Sequence, residues 1–482
     1  MGNRLDPHHY SPAAVSLDRA LADLGNATPL HKIVNPARKI TNGVRGPELR
    51  TSEYKLVRLQ DCQDWEVVFG GCLTISGEQF AENRRCRLQL DDVVVAIGGY
   101  LGNAAVVSRP AKAVIGQHSA LLPFGHGSRN DPRYIVAYLN SMYGAIQFSR
   151  WSRGTVQAGL NLEDIADIGI PLPDPDAQAY IGNKVRQAEA LRTAARARER
   201  RFREEVAVDI PRDARPAQFT RIAPDRIGSD LNPGRHDPDR LSVVDHLTAE
   251  RGQRVGEFAT VSTTTAEPAS ASQAYLGLDG ISSDCVDLSF NTVEEAGIAG
   301  TSRRLEAGAA ISKLRPYLNK VALVPAELAG ALGSTELLCV AANGIHVGFV
   351  YGVLKLDTTM RQLNPVATGA THPRVSSSDV LDVVVPMHDD HENLGRSLET
   401  AQRAYSAARL LTQAARLFVE ALIEQKVSEA DLVAAHKSPE ADRALMERLT
   451  ADGIDMPGAN PLFPDLDRLE ELLNEAQSEE TE

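Results

Sequence analysis

The sequence predicts an α+β protein made of two tandem copies of one strand-rich, mixed α/β domain, each copy followed by a long helix. Three observations carry this expectation. Six segments recur in the same order in the two halves, apolar alternation inside them reads as β-strand, and each half closes on about thirty proline-free residues with helical periodicity.

The first half opens with NRLDPHHYSP (residues 3–12) and the second with DLNPGRHDP (230–238), so that Pro7 and Pro12 match Pro233 and Pro238. YKLVRLQD from Tyr54 and YLGLDGIS from Tyr275 follow, both alternating and strand-like. LDDVVVAIGGYLGNAAVV (90–107) then matches EAGAAISKLRPYLNKVALV (306–324), each a strand, a tight connection and a second strand, sharing Tyr100-Leu101 and Tyr317-Leu318. IGQHSALL from Ile115 matches LGSTELLC from Leu332. RGTVQAGLNLEDIADIGIPLP (153–173) matches ATGATHPRVSSSDVLDVVVPM (367–387), with Asp164, Asp167 and Pro171 falling on Asp379, Asp382 and Pro386. The offset drifts from 226 through 217 to 215, as loops of unequal length on one scaffold would make it.

Each copy leads into a helix. Residues 177–206 are rich in Ala, Arg, Glu and Gln, which lose little on entering a helix. Ile181, Val185, Ala188, Ala195, Phe202 and Val206 recur at three- and four-residue steps, interrupted by Arg192 and Glu199. That pattern predicts a narrow seam for one partner helix, not a broad core face. At about 1.5 Å per residue the rod is roughly 45 Å long. In residues 394–426 the positions Leu394, Leu398, Ala401, Tyr405, Ala408, Ala415, Val419 and Leu422 supply a similar seam. Pro- and Arg-rich residues 211–226 read as a linker, and 263–272 as a loop within the second copy. In the tail, Ser438-Pro439-Glu440 predicts an N-cap and first turn, with Gly453 after that helix; residues 466–476 form a second amphipathic segment before a disordered end.

Composition excludes several classes. No apolar run approaches the ~18 residues of a membrane span, and the N-terminus has no hydrophobic region. Cys62, Cys72, Cys86, Cys285 and Cys339 are odd in number and form no C-x-x-C, which predicts a reduced, cytoplasmic chain without structural zinc. The net charge of −13 is uneven: residues 428–482 hold 15 acidic and 4 basic side chains, net −11, leaving −2 for residues 1–427. Global charge therefore says nothing against a nucleic-acid partner.

No nucleotide-binding glycine loop, G-x-S-x-G or convincing Cys–His pair is present, so no catalytic residue and no metal site are assigned. His8-His9 makes a poor metal site, His391 among acids reads as a solvated turn, and Glu424-Gln425-Lys426 as a charged helix end. What remains is polar surface suited to DNA. In copy one, Arg38, Lys39, Asn42 and Arg45 lie in a Gly-punctuated loop, with Tyr100 and Asn103 at the hairpin connection. In copy two, Lys313, Arg315 and Lys320 surround Tyr317, with Arg303 and Arg304 just before. Such residues neutralise phosphates or read base edges. The arginines at 192, 196, 198, 200, 201 and 203 read instead as a solvated helix face or a subunit contact.

This order of elements, with ISKLRPYLNKVALV (311–324), IPLPDPDAQAYI (170–181) and RLDPHHYSP (4–12), resembles the specificity subunit of type I restriction-modification systems over residues 3–427. The resemblance implies target-recognition domains at 1–174 and 228–388, spacer helices at 175–210 and 389–427 paired antiparallel as a coiled coil, a linker at 211–227, and an acidic tail at 428–482 outside the likeness. It also implies a non-catalytic chain that reads a bipartite site in double-stranded DNA. Its partners would be two adenine methyltransferase subunits, which carry S-adenosylmethionine, and a motor-nuclease subunit. On this reading the helices set the gap between half-sites, their span of roughly 45 Å suiting half-sites about one DNA turn apart. Two departures stand out: the copy-one turn AIGGYLGN lacks the basic residues of copy two, and VPMHDDHENLGRSL (385–398) keeps only Pro386 of the Pro-x-Pro-to-Gln run. Two other classes fit the same residues: a recognition subunit of a phage-defence assembly without methylation, and a protein-binding adaptor built on paired helices.

Overall fold

The computed structural model describes residues 7–25, 27–45, 52–99, 101–153, 159–212, 232–456 and 458–481, the side chains of 7, 8, 480 and 481 excepted. Most of the predicted linker, from residue 213 on, lies outside them. The chain divides into two compact units, one of residues 1–190 and 407–475, the other of 191–406 and 476–482. Each unit holds one copy, the first half of the helix that follows it, and the second half of the helix that follows the other copy.

The duplication extends to individual caps and pairings. A 3-10 turn (Pro7–Tyr10; Pro233–His236) leads to a helix with proline in its first turn (Pro12–Leu24; Pro238–Ala249), capped by the side chains of Ser11 and Asp237. A short strand (Ala27–Pro29; Gln253–Arg254) then pairs antiparallel with the strand that precedes the long helix (Gly169–Pro171; Val384–Val385). Helices Pro132–Leu139, Met142–Trp151 and Leu162–Ala166 recur as Val347–Lys355, Asp357–Val366 and Ser377–Leu381, each starting 215 positions later.

The predicted hairpins form. Val93–Ala96 pairs with Ala104–Val106, and Gly308–Ser312 with Val321–Val324. In copy one they sit in a six-stranded sheet ordered Thr41–Asn42, Ser119–Leu122, Val93–Ala96, Ala104–Val106, Glu66–Val67, Cys62–Gln63. In copy two the order is Ala259–Ser262, Leu337–Ala342, Gly308–Ser312, Val321–Val324, beside a five-stranded sheet. That second sheet includes Thr265–Ala266, so the segment expected to be a plain loop at 263–272 contributes a strand. The cores are aliphatic, with Val57, Val94, Val114, Ile115 and Leu121 in copy one and Leu276, Leu305, Ala310 and Leu337 in copy two.

Two devices that the two copies share were not visible as such in the sequence. Gln147 and Gln362, both buried, each clamp the backbone of the short strand before the long helix. Gln362 donates to the Val384 carbonyl at 2.7 Å and accepts from its N–H at 2.9 Å; Gln147 does the same at Gly169, at 2.6 and 3.3 Å. The second device is a close approach. The cap residue of the helix Pro132–Leu139 or Val347–Lys355, Asp131 or His346, lies over a glycine of the long helix, Gly182 or Gly395, where a Cβ would stand 2.3 or 2.2 Å from it. Only glycine admits that contact.

The long helices span Pro175–Val206 and His391–Ile423. The second stops three residues short of the predicted end, because Gln425 adopts a left-handed conformation (φ 59°) and Lys426 folds back onto the Ala421 carbonyl. Near the start of the first helix Tyr180 packs edge-on against Phe418, and near its end Glu199 accepts from the Tyr405 hydroxyl, the order of antiparallel pairing. Ile181, Val185, Ala188, Ala195, Phe202 and Val206 are buried, as are Leu394, Leu398, Ala401, Tyr405, Ala408, Ala415, Val419 and Leu422. The buried face is nevertheless broad, not a narrow seam. Arg192 and Glu199 are themselves buried, and so are Tyr180, Lys184, Glu189 and Leu191.

Part of that cover comes from the acidic C-terminal segment, which is folded. Ser428 and Ser438 cap helices Glu429–Lys437 and Pro439–Glu447. Gly453 comes after the second helix, as expected, and lies in a two-stranded hairpin, Leu449–Thr450 with Gly453–Ile454. A last helix, Leu466–Thr481, runs on where a disordered end was expected. Asp442 receives both the Lys184 ammonium and the Tyr180 hydroxyl at 2.7 Å, and Lys437 meets Asp176 at 2.7 Å. Burial lowers the Lys184 pKa, and Asp442 opposes that shift.

Two outcomes follow. Gln362→Ala strips both partners from a buried backbone unit and should cost about 2 kcal/mol, read as a lower denaturant midpoint. Glu199 accepts from the Val286 N–H at 2.6 Å, yet its burial pushes the carboxyl up to about 7. A raised carboxyl makes the folded state lose stability as pH climbs from the ordinary glutamate range through about 7. Glu199→Gln cannot ionise, so its melting temperature relative to the native chain should rise from pH 5 to pH 8, by roughly the loss that ionisation causes. A difference that is flat across that range would contradict the burial argument.

Candidate nucleic-acid interface

In copy one four strand ends meet at one end of the six-stranded sheet. Asn42 pairs with Ala120, Ser119 with Ala96, and Val95 with Ala104, so the loops after Asn42, before Ser119, after Ala96 and before Ala104 adjoin one another. Asn42, Arg45 and Asn103, far apart in sequence, are all exposed there. Lys39 is exposed a few residues upstream; Tyr100 lies outside the described residues. Arg38 is different. Its guanidinium donates to Asp92 at 2.7 Å, Gln89 at 3.0 Å and the Arg87 carbonyl at 2.9 Å, and Asp92 is fully buried. Arg38 therefore holds the fold and has little left for a ligand.

Beside this strand end lies a cleft of about 380 Å³, floored by Leu56, Leu59 and Leu73. Arg58, Gln60, Gln117 and His118 border it, together with Arg45. Gln117 and His118 are the exposed residues just before the strand Ser119–Leu122. In the sequence this stretch stands out only as a match between the copies, and neither residue was singled out. The usable signal was two polar, base-reading residue types at the point where the apolar run begins.

Copy two arranges the same strand end differently. Arg304 is exposed, whereas its neighbour Arg303 is buried and donates to the carbonyls of Leu337, Thr263, Thr264 and Thr335. Lys320 likewise gives its ammonium to the Ile281 carbonyl. Both cations tie loops together inside the domain. Lys313 sits 3.9 Å from Glu336, which also takes Arg374 at 2.8 Å, and the Arg374 hydrogen bond holds the Glu336 carboxyl below its ordinary range. At the tip, Tyr317 is 57% exposed on a 3-10 turn flanked by Arg315 and Asn319, both at φ 49°. In copy one Gly102, which matches Asn319, is likewise left-handed, and the other left-handed residue of the turn is Gly99, one position after the match to Arg315. In copy two the backbone strain at Arg315 is held by its N–H bond to the Pro373 carbonyl at 2.7 Å.

Among the described residues no cluster of three His, Cys, Asp or Glu side chains could hold a metal ion, and the five cysteines are free. No helix among them is long and apolar enough to cross a membrane.

Residues 53–198, which cover the cleft apart from Val44 and Arg45, the copy-one hairpin and the first part of the long helix, match the family described as type I restriction modification DNA specificity domain. That match is to the class that the order of elements had suggested, and it covers residues 53–198. It is 23% identical over 249 residues to the type I restriction enzyme EcoBI specificity subunit of Escherichia coli, a match covering 48% of this chain. The chain spans about half the length of that relative, 49%. Among solved structures it is similar to a type I restriction-modification system S subunit from M. genitalium, at 14% identity over 85% of this chain and 94% of the other, with a TM-score of 0.35. It is also similar to an HsdS subunit from Thermoanaerobacter tengcongensis, at 14% identity over 83% and 97%, with a TM-score of 0.29.

Arg303 and Arg304 offer a direct contrast. Arg303→Ala removes a donor from four carbonyls, of which Thr264 keeps the Arg304 N–H, and should cost about 3 kcal/mol in a denaturant titration. Arg304→Ala should stay within about 0.5 kcal/mol of the native chain.

Proposed function

We propose that the chain is the DNA-specificity subunit of a type I restriction-modification assembly and does no chemistry itself. Each copy reads one half of a bipartite, asymmetric site in double-stranded DNA. Two adenine methyltransferase subunits dock on the chain, bind S-adenosylmethionine, and methylate adenine after it leaves the stack. A motor-nuclease subunit completes the restricting form, and the assembly works on host DNA in the cytoplasm. The observation that carries this reading is the match of residues 53–198 to a DNA specificity domain, on one copy of a fold that the chain builds twice.

Physical chemistry supports the division of labour. A shared framework with different strand ends suits an asymmetric target. Gln117-His118-Ser119 of copy one stand where copy two has Ser334-Thr335-Glu336, so the two copies present different donors and acceptors. The exposed cations Lys39, Arg45 and Arg304 suit phosphates, whose contacts position without specifying sequence.

Single-molecule methylome sequencing of the host with and without this gene tests the reading. The expected result is N6-methyladenine in a two-part motif with a fixed gap, lost when the gene is deleted. An unchanged methylome, with an active partner methyltransferase present, would overturn it.

A further inference from the structure

The two copies differ in kind at one matched position. In copy two, Glu336 binds Arg374 at 2.8 Å and approaches Lys313 at 3.9 Å, so the strand end satisfies itself. In copy one the same position is Ser119, 1% exposed, whose hydroxyl is buried without a protein partner beside the cleft. At this matched position an ion pair closes the strand end in copy two, whereas copy one has a small, buried serine beside an open concavity.

The border of the cleft says what kind of occupant suits it. Among its described lining residues there is no Asp or Glu, so a polyanion meets no repulsion there. Arg58 is committed to Asp61 at 3.2 Å, and the Gln60 carboxamide, with its oxygen turned to Arg58 at 3.0 Å, has its amino group left to donate. Gln117 and His118 are exposed and in mutual contact at 3.0 Å, which sets the position of one by the other. Carboxamides and imidazole offer a donor and an acceptor side by side, the complement of a base edge and not of a phosphate. The leucine floor offers apolar contact, which in the major groove only the thymine methyl group uses.

We propose that this cleft reads one A·T pair of the half-site assigned to copy one, with Gln117 and His118 as specificity-determining residues. Gln117 takes the N6/N7 edge of adenine, His118 orients it, and the thymine methyl group rests on the floor formed by Leu56, Leu59 and Leu73. The assignment rests on the reading of copy one as a DNA-recognition domain.

The test is the host methylome with the full chain carrying Gln117→Ala, Gln117→Glu or His118→Ala. The motif of the unaltered chain comes first; if none depends on the gene, the proposed function fails and the cleft is not at issue. Given a motif, Gln117→Ala and His118→Ala should make one A·T position in one half accept all bases, with the other half unchanged as an internal control of folding. Gln117→Glu should move the same position toward C·G, because a carboxylate accepts from cytosine N4; a domain that fails to fold cannot gain a new preference. An unchanged motif, relaxation at a G·C position instead, or loss of methylation by all three variants without a changed motif would overturn the assignment.

Discussion

The Arg133 guanidinium meets the Glu189 carboxylate at 2.8 to 3.0 Å with both groups almost out of water, and related links recur along the long helices. Glu199 accepts from the Val286 N–H at 2.6 Å, and Glu420 from the Met142 N–H at 2.8 Å, at the start of a domain helix. A charge taken out of water is tolerable only when donors reach it, and breaking such a link leaves a stranded carboxylate. A helix start adds its dipole to the Glu420 contact. Neither partner is self-sufficient. Helices in proteins gain most of their stability from tertiary cover, and here that cover comes from the paired helix, the two domains and the acidic segment, through Asp442 in one unit and Glu479 in the other.

Against that constraint the copies have kept their framework and changed their edges. Gln147 and Gln362 hold the same strand, and Gly182 and Gly395 admit the same close approach, although the surrounding residues share little. The strand ends follow the opposite course. Where copy one leaves an unpaired Ser119 beside an apolar-floored cleft, copy two closes an ion pair and projects Tyr317 on a strained turn. Structural sites resist substitution because several bonds converge on them, while the loops at a sheet end carry little of the core. A duplicated reader can thus acquire two specificities on one scaffold.

The repeated order of strands and helices was legible in the sequence because periodicity and proline frames survive substitution. The direction in which single polar residues point was not. Arg303 and Arg304 are neighbours in a strand, so one must face in and the other out, but nothing in Ser-Arg-Arg says which. Arg38 and Lys320 looked like surface cations and turned inward because carbonyls and a buried Asp92 awaited them. Glu189 and Gln362, which no sequence pattern singles out, are buried because Arg133 and the Val384 backbone await them. The broad burial of the first long helix escaped notice because its cover comes from residues distant in sequence, among them Arg133, Val286 and Asp442.

The central claim is that one fold is used twice, each copy reading its own half of a divided site. Selection of duplex DNA from a random library by the assembly purified from its host tests it most directly. The account predicts two short, unlike motifs separated by a constant unspecified gap. A single contiguous motif, or enrichment without sequence preference, would contradict it.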